Sequence, residues 1–355
     1  MMSSLLMRVA LIVPLACGTP AFCQNGVPAR DYWPTADWRT RPAAELSVDT
    51  AKLTAMDAFI KGSLAATSSV LLVRHGYLVW ETYYAGDRST LRPIYSVTKS
   101  IISILTGTLA KSGKIRDVDD TMLSYLPDIA SGQLASGAEK ITVRHLLTMS
   151  SGFPTDGGKG TLFVKGYLAK PLATTPGEAF AYNGTNPDLL SIILTHLSGQ
   201  TADEYAPAAL FKPLGIGEHG WTKEYLYSNG AEGISMTSRD LAKIGYLYLN
   251  RGTWDGTAIV TPEWVTASTT VEAPESSYTL HWKGYGSARY GFLWWIAPLP
   301  HAYFASGHDG QSITVLPDQD AVVVITADAP LVDTGNETSD RYWPIITDYI
   351  VPAMR

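Results

Sequence analysis

Strand-like runs stand at both ends of this chain and helix-like text fills its middle. "SSVLLVRHGYLVWETYYAG", residues 68–86, holds two β-rich runs around His75-Gly76, which reads as a hairpin. Strands return only after residue 284, as "YGFLWWIA", "AYFASG", "QSITVLP" and "AVVVITAD". Between them lie "ITVRHLLTMSSGF", "NPDLLSIILTHLSG" and "SMTSRDLAKIGYLYLNRG", each with helical spacing. The first is capped by Thr142 and stopped at Gly152, the second ends at Gly199, and the third has Asp240 in its first turn and stops at Gly252. Strands separated by such a block predict one antiparallel sheet with helices on its faces, and a mostly helical subdomain over roughly 112–265 inserted between sheet segments. This is an α/β fold of the α+β type. A helix over 48–63, with Leu53, Met56, Phe59 and Ile60 on one face, precedes the hairpin. A final helix, "RYWPIITDYIVPAM", is expected to close the chain despite Pro344.

The ends carry other signals. "MMSSLLMRVALIVPLACGTPAFCQ" has a basic Arg8, an apolar stretch over 9–16 and small residues after it, the grammar of a secretory leader over 1–23. A lipid anchor at Cys17 is the weaker reading, because Pro14 sits where an aliphatic residue is usual. Cys17 and Cys23 both fall in the leader, so the exported chain has no cysteine nucleophile and no cysteine-based metal site. A periplasmic or secreted location fits. Residues 24–45 read as an extended arm lying on a single domain, which spans 46–355. No later run is long and apolar enough to cross a membrane. A net charge of −6 argues against nucleic acid as a partner. The sequence sets no oligomeric state.

The chemistry concentrates at "PIYSVTKSIISILTGTLA", residues 93–110. Ser96 and Lys99 stand at i and i+3 where an apolar helix begins, so their heads share a face. A hydroxyl is a poor nucleophile until a neighbour takes its proton. An amine does this when burial disfavours its charged form, and the helix N-terminus favours an oxyanion there. Taken alone, the pair reads equally as a serine cap and a surface lysine. "EAFAYNGTNPDLLSII" adds Tyr182 just before an apolar helix, a candidate proton carrier. "FASGHDGQSITVLPD" adds His308, Gly310 and Gln311 at a strand start, where a glycine lets substrate approach the backbone and the next N–H can face a reacting carbonyl.

Together these marks resemble the serine beta-lactamase and penicillin-binding protein superfamily. The resemblance is to the branch holding class C beta-lactamases, D-alanyl carboxypeptidases, related esterases and hydrolases of linear nylon-type amides such as 6-aminohexanoate dimers. "YSVTKS", "ITVRHLLTMSSG", "AFAYNGTNPDLLSIIL", "FKPLGI", "GISMTSRDLAKIGYLYLNRG", "YGFLWWI" and "GHDGQ" stand in that family's order. The "YWPTADWRTRP" arm resembles the nylon-oligomer group. The resemblance implies a beta-lactamase-like fold, Ser96 as acylated nucleophile, and Lys99 with Tyr182 as proton carriers. It implies an oxyanion hole from the backbone N–H groups of Ser96 and Gln311, with the Gln311 side chain dispensable. His308-Asp309-Gly310 stands where lactamases carry Lys-Thr-Gly. Gly184 stands where a side-chain amide or hydroxyl is usual, and Asn183 or Asn186 is the candidate substitute. Both departures favour an ester or linear amide as substrate over a beta-lactam. A D-alanyl carboxypeptidase or penicillin binder, and a non-catalytic binding protein of the same fold, are the alternatives. Acyl transfer of this kind needs no cofactor and no metal.

Rival motifs are weaker. No Gly-x-Ser-x-Gly elbow and no His-Glu-x-x-His helix occurs. "TDGGKG" at 155–160 lacks the spacing of a phosphate loop. His145 reads as a structural histidine.

Overall fold

The computed structural model describes residues 28–130, 132–154, 164–224, 226–274, 280–282, 284–328 and 341–354. The expected leader and the 155–160 glycine loop lie outside them. Two compact units divide the chain, 1–31 and 32–355. Everything below concerns the second.

Its frame is a seven-stranded antiparallel sheet. The strands are β1 (Thr67–Arg74), β2 (Tyr77–Tyr83), β3 (Arg289–Tyr290), β4 (Trp295–Ile296), β5 (Tyr303–Gly307), β6 (Gln311–Leu316) and β7 (Ala321–Ala327). They lie in the order β3-β4-β5-β6-β7-β1-β2. The early hairpin therefore inserts beside the last strand, with Val70 opposite Ile325 and Leu71 opposite Val324. His75 and Gly76 both take positive φ, 52° and 85°, the two left-handed residues that a tight hairpin turn needs. Every residue of β1 is buried, so both faces of the sheet are covered.

The expected run "YGFLWWIA" is not one strand. It breaks into β3 and β4 at Gly291–Trp294. Leu293 turns left-handed (φ 59°) and its N–H leaves the sheet for Leu147 O. A Cβ on Gly291 would lie 2.2 Å from Ser268 O, so the chain can fold back there only as glycine.

Helix α1 (Thr50–Ser63) carries an Asp49 cap and packs near the C-terminus, with Phe59 stacked on Tyr349. Helix α2 (Val97–Lys111) is buried without interruption from Val97 to Leu109, the pattern of a helix enclosed on all sides. Helix α3 (Val143–Leu147) starts at Thr142 as expected, with His145 completing a capping box, but stops before Gly152. Helix α4 (Thr185–Ser198) ends at a left-handed Gly199, as its sequence predicts. Helix α5 (Ser238–Leu249) opens on the Thr237 cap, which accepts from Asp240 N. The closing helix passes Pro344 as a widened turn over Ile345–Ile350, then runs into Val351–Ala353. Pro352 has no N–H to return to the preceding turn, which suits that widening.

The block expected over 112–265 is less separate than its text implies. Residues 32–355 form one unit. Arg92–Pro93, Ile234–Met236 and Gly220–Trp221 make a small sheet within and beside the block. Helix α5 lies directly on the main sheet: a Cβ on Gly245 would meet Val322 Cγ1 at 2.5 Å and Ile313 Cγ2 at 2.7 Å. The arm from Tyr32 onward lies along the domain. Thr40 bridges Leu78, Tyr32 donates to Gly76 O, and Trp33 packs on Tyr246 and Trp254.

Candidate active site

Ser96 sits at the start of α2 with near-helical angles (φ −66°, ψ −7°) and its side chain makes no cap bond. The hydroxyl is therefore released from the usual duty of a serine at a helix start. Lys99, one turn on, is 1% exposed. Its Nζ donates to Ser96 Oγ at 2.9 Å and to Ala231 O at 2.8 Å. The cap-and-surface-lysine alternative does not describe this pair. Tyr95, just before the serine, is held left-handed (φ 46°), a conformation that an aromatic residue keeps only under constraint. The constraint comes from both sides, since Ile94 N donates to Ile234 O and Ile234 N takes Thr98 Oγ1 as acceptor.

The Ala231 carbonyl is a site element that sequence reading missed. Its position is built by a folded turn. Asn229 Oδ1 accepts from the N–H groups of Ala231 and Glu232, both at 2.9 Å. Asp188 in the first turn of α4 accepts from Gly230 N at 2.8 Å. A Cβ on Gly230 would lie 2.4 Å from Pro187 O, so the turn rests against α4. Buried Asn229 and Asp188 were the available signal, because a buried polar side chain needs partners.

Tyr182 comes from the loop before α4. Lys99 Nζ stands 5.1 Å from its ring centroid. The ring stacks on Trp295 (5.7 Å, 27°) and meets Tyr290 edge-on (6.3 Å). The crowded aromatics of the 282–295 segment thus include the wall that fixes Tyr182. Ser96 and Lys99 thus meet at the start of α2, and the Tyr182 ring lies beside the Lys99 amine.

Asn183 and Asn186 do not join them. Asn183 Nδ2 donates to Pro154 O at 2.7 Å, and its Oδ1 accepts from Asn186 N at 3.1 Å. Asn186 Oδ1 accepts from Ser151 Oγ at 2.6 Å, and its Nδ2 reaches Met149 Sδ at 3.4 Å. Both are buried and both tie the 149–154 loop to α4. Neither amide is available to a substrate, which corrects the expectation that one of them replaces the side chain missing at Gly184.

The opposite wall is the β5–β6 turn. His308 is exposed and meets Tyr95, the residue before Ser96, edge-on at 5.7 Å. Asp309 is left-handed (φ 61°) and Gly310 follows at φ 92°. A Cβ on Gly310 would lie 2.1 Å from Tyr342 Cε2, so the glycine is required by Tyr342 packing. Gln311 opens β6. Its backbone N–H donates to His308 O within the turn. An oxyanion would therefore have to share that donor or displace the turn bond. Its side chain is not idle either: Nε2 donates to Ala327 O at 2.5 Å and Oε1 accepts from Ala327 N at 3.4 Å. The expectation that the Gln311 side chain is dispensable is corrected for stability, because it pairs both backbone groups of the next strand's end.

A beta-lactamase family model matches residues 56–341. The chain belongs to the beta-lactamase family. A protein of Salmonella agona, provisionally named a D-alanyl-D-alanine carboxypeptidase, is 21% identical over 372 residues, covering 82% of this chain and 86% of that one. A Bacillus anthracis structure, provisionally named a 6-aminohexanoate-dimer hydrolase, superposes with TM-score 0.66 at 18% identity, over 84% of this chain and 81% of that one. EstCE1, described as a hydrolase with promiscuous acyltransferase activity, superposes with TM-score 0.67 at 16% identity, over 88% and 99%. The beta-lactamase-like fold expected above is thus shown. This member of the family is a hydrolase with mixed helices and antiparallel sheet, and no described helix is long and apolar enough to cross a membrane.

Proposed function

We propose that this family member is an exported serine hydrolase that opens an ester or linear amide through an acyl-enzyme on Ser96. The observation that carries this reading is the buried Lys99 amine held at 2.9 Å from an uncapped serine hydroxyl. A desolvated amine favours its neutral form, and a neutral amine takes the hydroxyl proton as the oxygen attacks the carbonyl. The carbonyl of Ala231 holds Nζ on line. Tyr182 passes a proton to the departing alcohol or amine, and water then cleaves the acyl ester with the same groups reversed. The helix start and the Ser96 N–H stabilise the oxyanion, and the Gln311 N–H joins when the acyl oxygen competes with His308 O. Export rests on the leader grammar of 1–23.

A D-alanyl carboxypeptidase is the second reading, favoured by the name of the Salmonella relative. Against it stands the wall itself, which offers an imidazole where that chemistry's relatives offer a lysine. One experiment divides the two. The protein is incubated with a fluorescent penicillin and, separately, with p-nitrophenyl butyrate. Ester turnover without lasting label supports the preferred reading. Stable label supports the second. Neither signal, with Ser96→Ala indistinguishable from wild type, leaves a binding protein of the same fold.

A further inference from the structure

The His308–Asp309 pair has no use in the acyl transfer just described. Asp309 projects its carboxylate beneath His308, with Oδ1 3.3 Å from His308 Nε2 and its side chain 7% exposed. That oxygen makes no hydrogen bond among the described residues. A buried carboxylate oxygen with only a neighbouring imidazole near it is costly, so its retention calls for an explanation. We propose that Asp309 sets the charge preference of the acyl site: its carboxylate lies against the His308 imidazole at the rim, so the enzyme takes substrates neutral or cationic beside the scissile bond and turns away those with a carboxylate there. This deepens the serine hydrolase reading and rests on it.

The surroundings agree. The Tyr95 phenol, one residue before the nucleophile, is pushed up by burial and then by three carboxylates, Asp309, Asp328 and Glu232. Burial also raises the Asp309 carboxyl, His308 pulls it back, and Asp328 adds to the rise. Two nearby basic groups are already engaged. Arg92 binds Asp328 and Ala85 O. Lys99 is committed to Ser96 and Ala231. Arg341 acts on Tyr342, whose phenol burial pushes up to about 12. The charged groups that act on Tyr95 are thus carboxylates, and an anionic substrate beside it would enter against them.

The test uses three p-nitrophenyl esters of matched length: the neutral pentanoate, the anionic succinate monoester and the cationic 4-(trimethylammonio)butanoate. Wild type is expected to rank them by kcat/KM as cationic or neutral first and anionic last. Asp309→Asn keeps a residue that tolerates the left-handed backbone while removing the charge. Its neutral-to-anionic kcat/KM ratio should fall by about tenfold, the scale of one partly screened unit charge near the site. A ratio unchanged within about twofold overturns the proposal, since that is below what such a charge would do. A second measurement needs no variant: butylammonium should inhibit wild-type pentanoate turnover more strongly than butyrate at equal concentration and ionic strength. Equal or stronger inhibition by butyrate also overturns it. Wild type inert toward all three esters removes the Ser96 reading and this inference with it, whereas turnover with an unmoved ratio removes this inference alone.

Discussion

The two walls of the site are built on different principles. The α2 wall is an enclosed helix whose buried Lys99 amine is aimed by two acceptors, Ser96 Oγ and Ala231 O. The β5–β6 wall is a tight turn with two left-handed residues, an exposed imidazole and a backbone donor already spent on His308 O. The first is preorganised, so its groups are in place before substrate arrives. The second must exchange a bond to take part. Preorganisation accounts for most transition-state stabilisation at such sites, so substitutions on the first wall are expected to cost more rate than those on the second.

Ser96→Ala gives the largest effect. Turnover of p-nitrophenyl butyrate should drop on the order of 10⁴-fold or more, the scale of losing a nucleophile. Because the hydroxyl makes no cap bond, the melting temperature should hardly move. Retained activity in this variant would sink the assignment of the whole α2 wall. Lys99→Met comes next, at about 10³-fold in kcat. Replacing a buried polar head by an apolar chain of similar length should leave stability unchanged or raised, read by thermal melting. Tyr182→Phe should lower kcat about 10²-fold if the phenol moves protons. The ring keeps its stack on Trp295, so a near-silent variant takes Tyr182 out of the mechanism rather than out of place.

The same contrast explains what was legible in the sequence. Ser96 and Lys99 were readable because helical spacing alone brings i and i+3 together. The sheet was readable because its strands are β-rich runs, and the His75-Gly76 turn announced its own geometry. Three things were hidden. Ala231 contributes a carbonyl, and no side chain at that position records a backbone role. The break between β3 and β4 depends on Leu293 finding Leu147 O, a contact between distant segments. Asn183 and Asn186 stand near Tyr182 in sequence, yet their amides turn to Pro154 O and Met149 Sδ, because a loop crossing beneath them needs partners. Proximity to a catalytic candidate says nothing of where a side chain points.

Gln311 gives the smallest change in rate and the sharpest separation of the walls. Gln311→Ala keeps the backbone N–H but strips Ala327 of both side-chain partners. Leaving buried backbone groups unpaired costs about 1–3 kcal/mol, so the melting midpoint should fall while kcat of the folded fraction changes little. Gln311→Pro removes the N–H itself and with it the bond to His308 O. If that donor turns to the oxyanion during catalysis, Pro lowers kcat well beyond what Ala does at matched folded fraction. If Pro and Ala differ only in stability, the N–H stays in the turn throughout, and the oxyanion is held by the α2 wall alone.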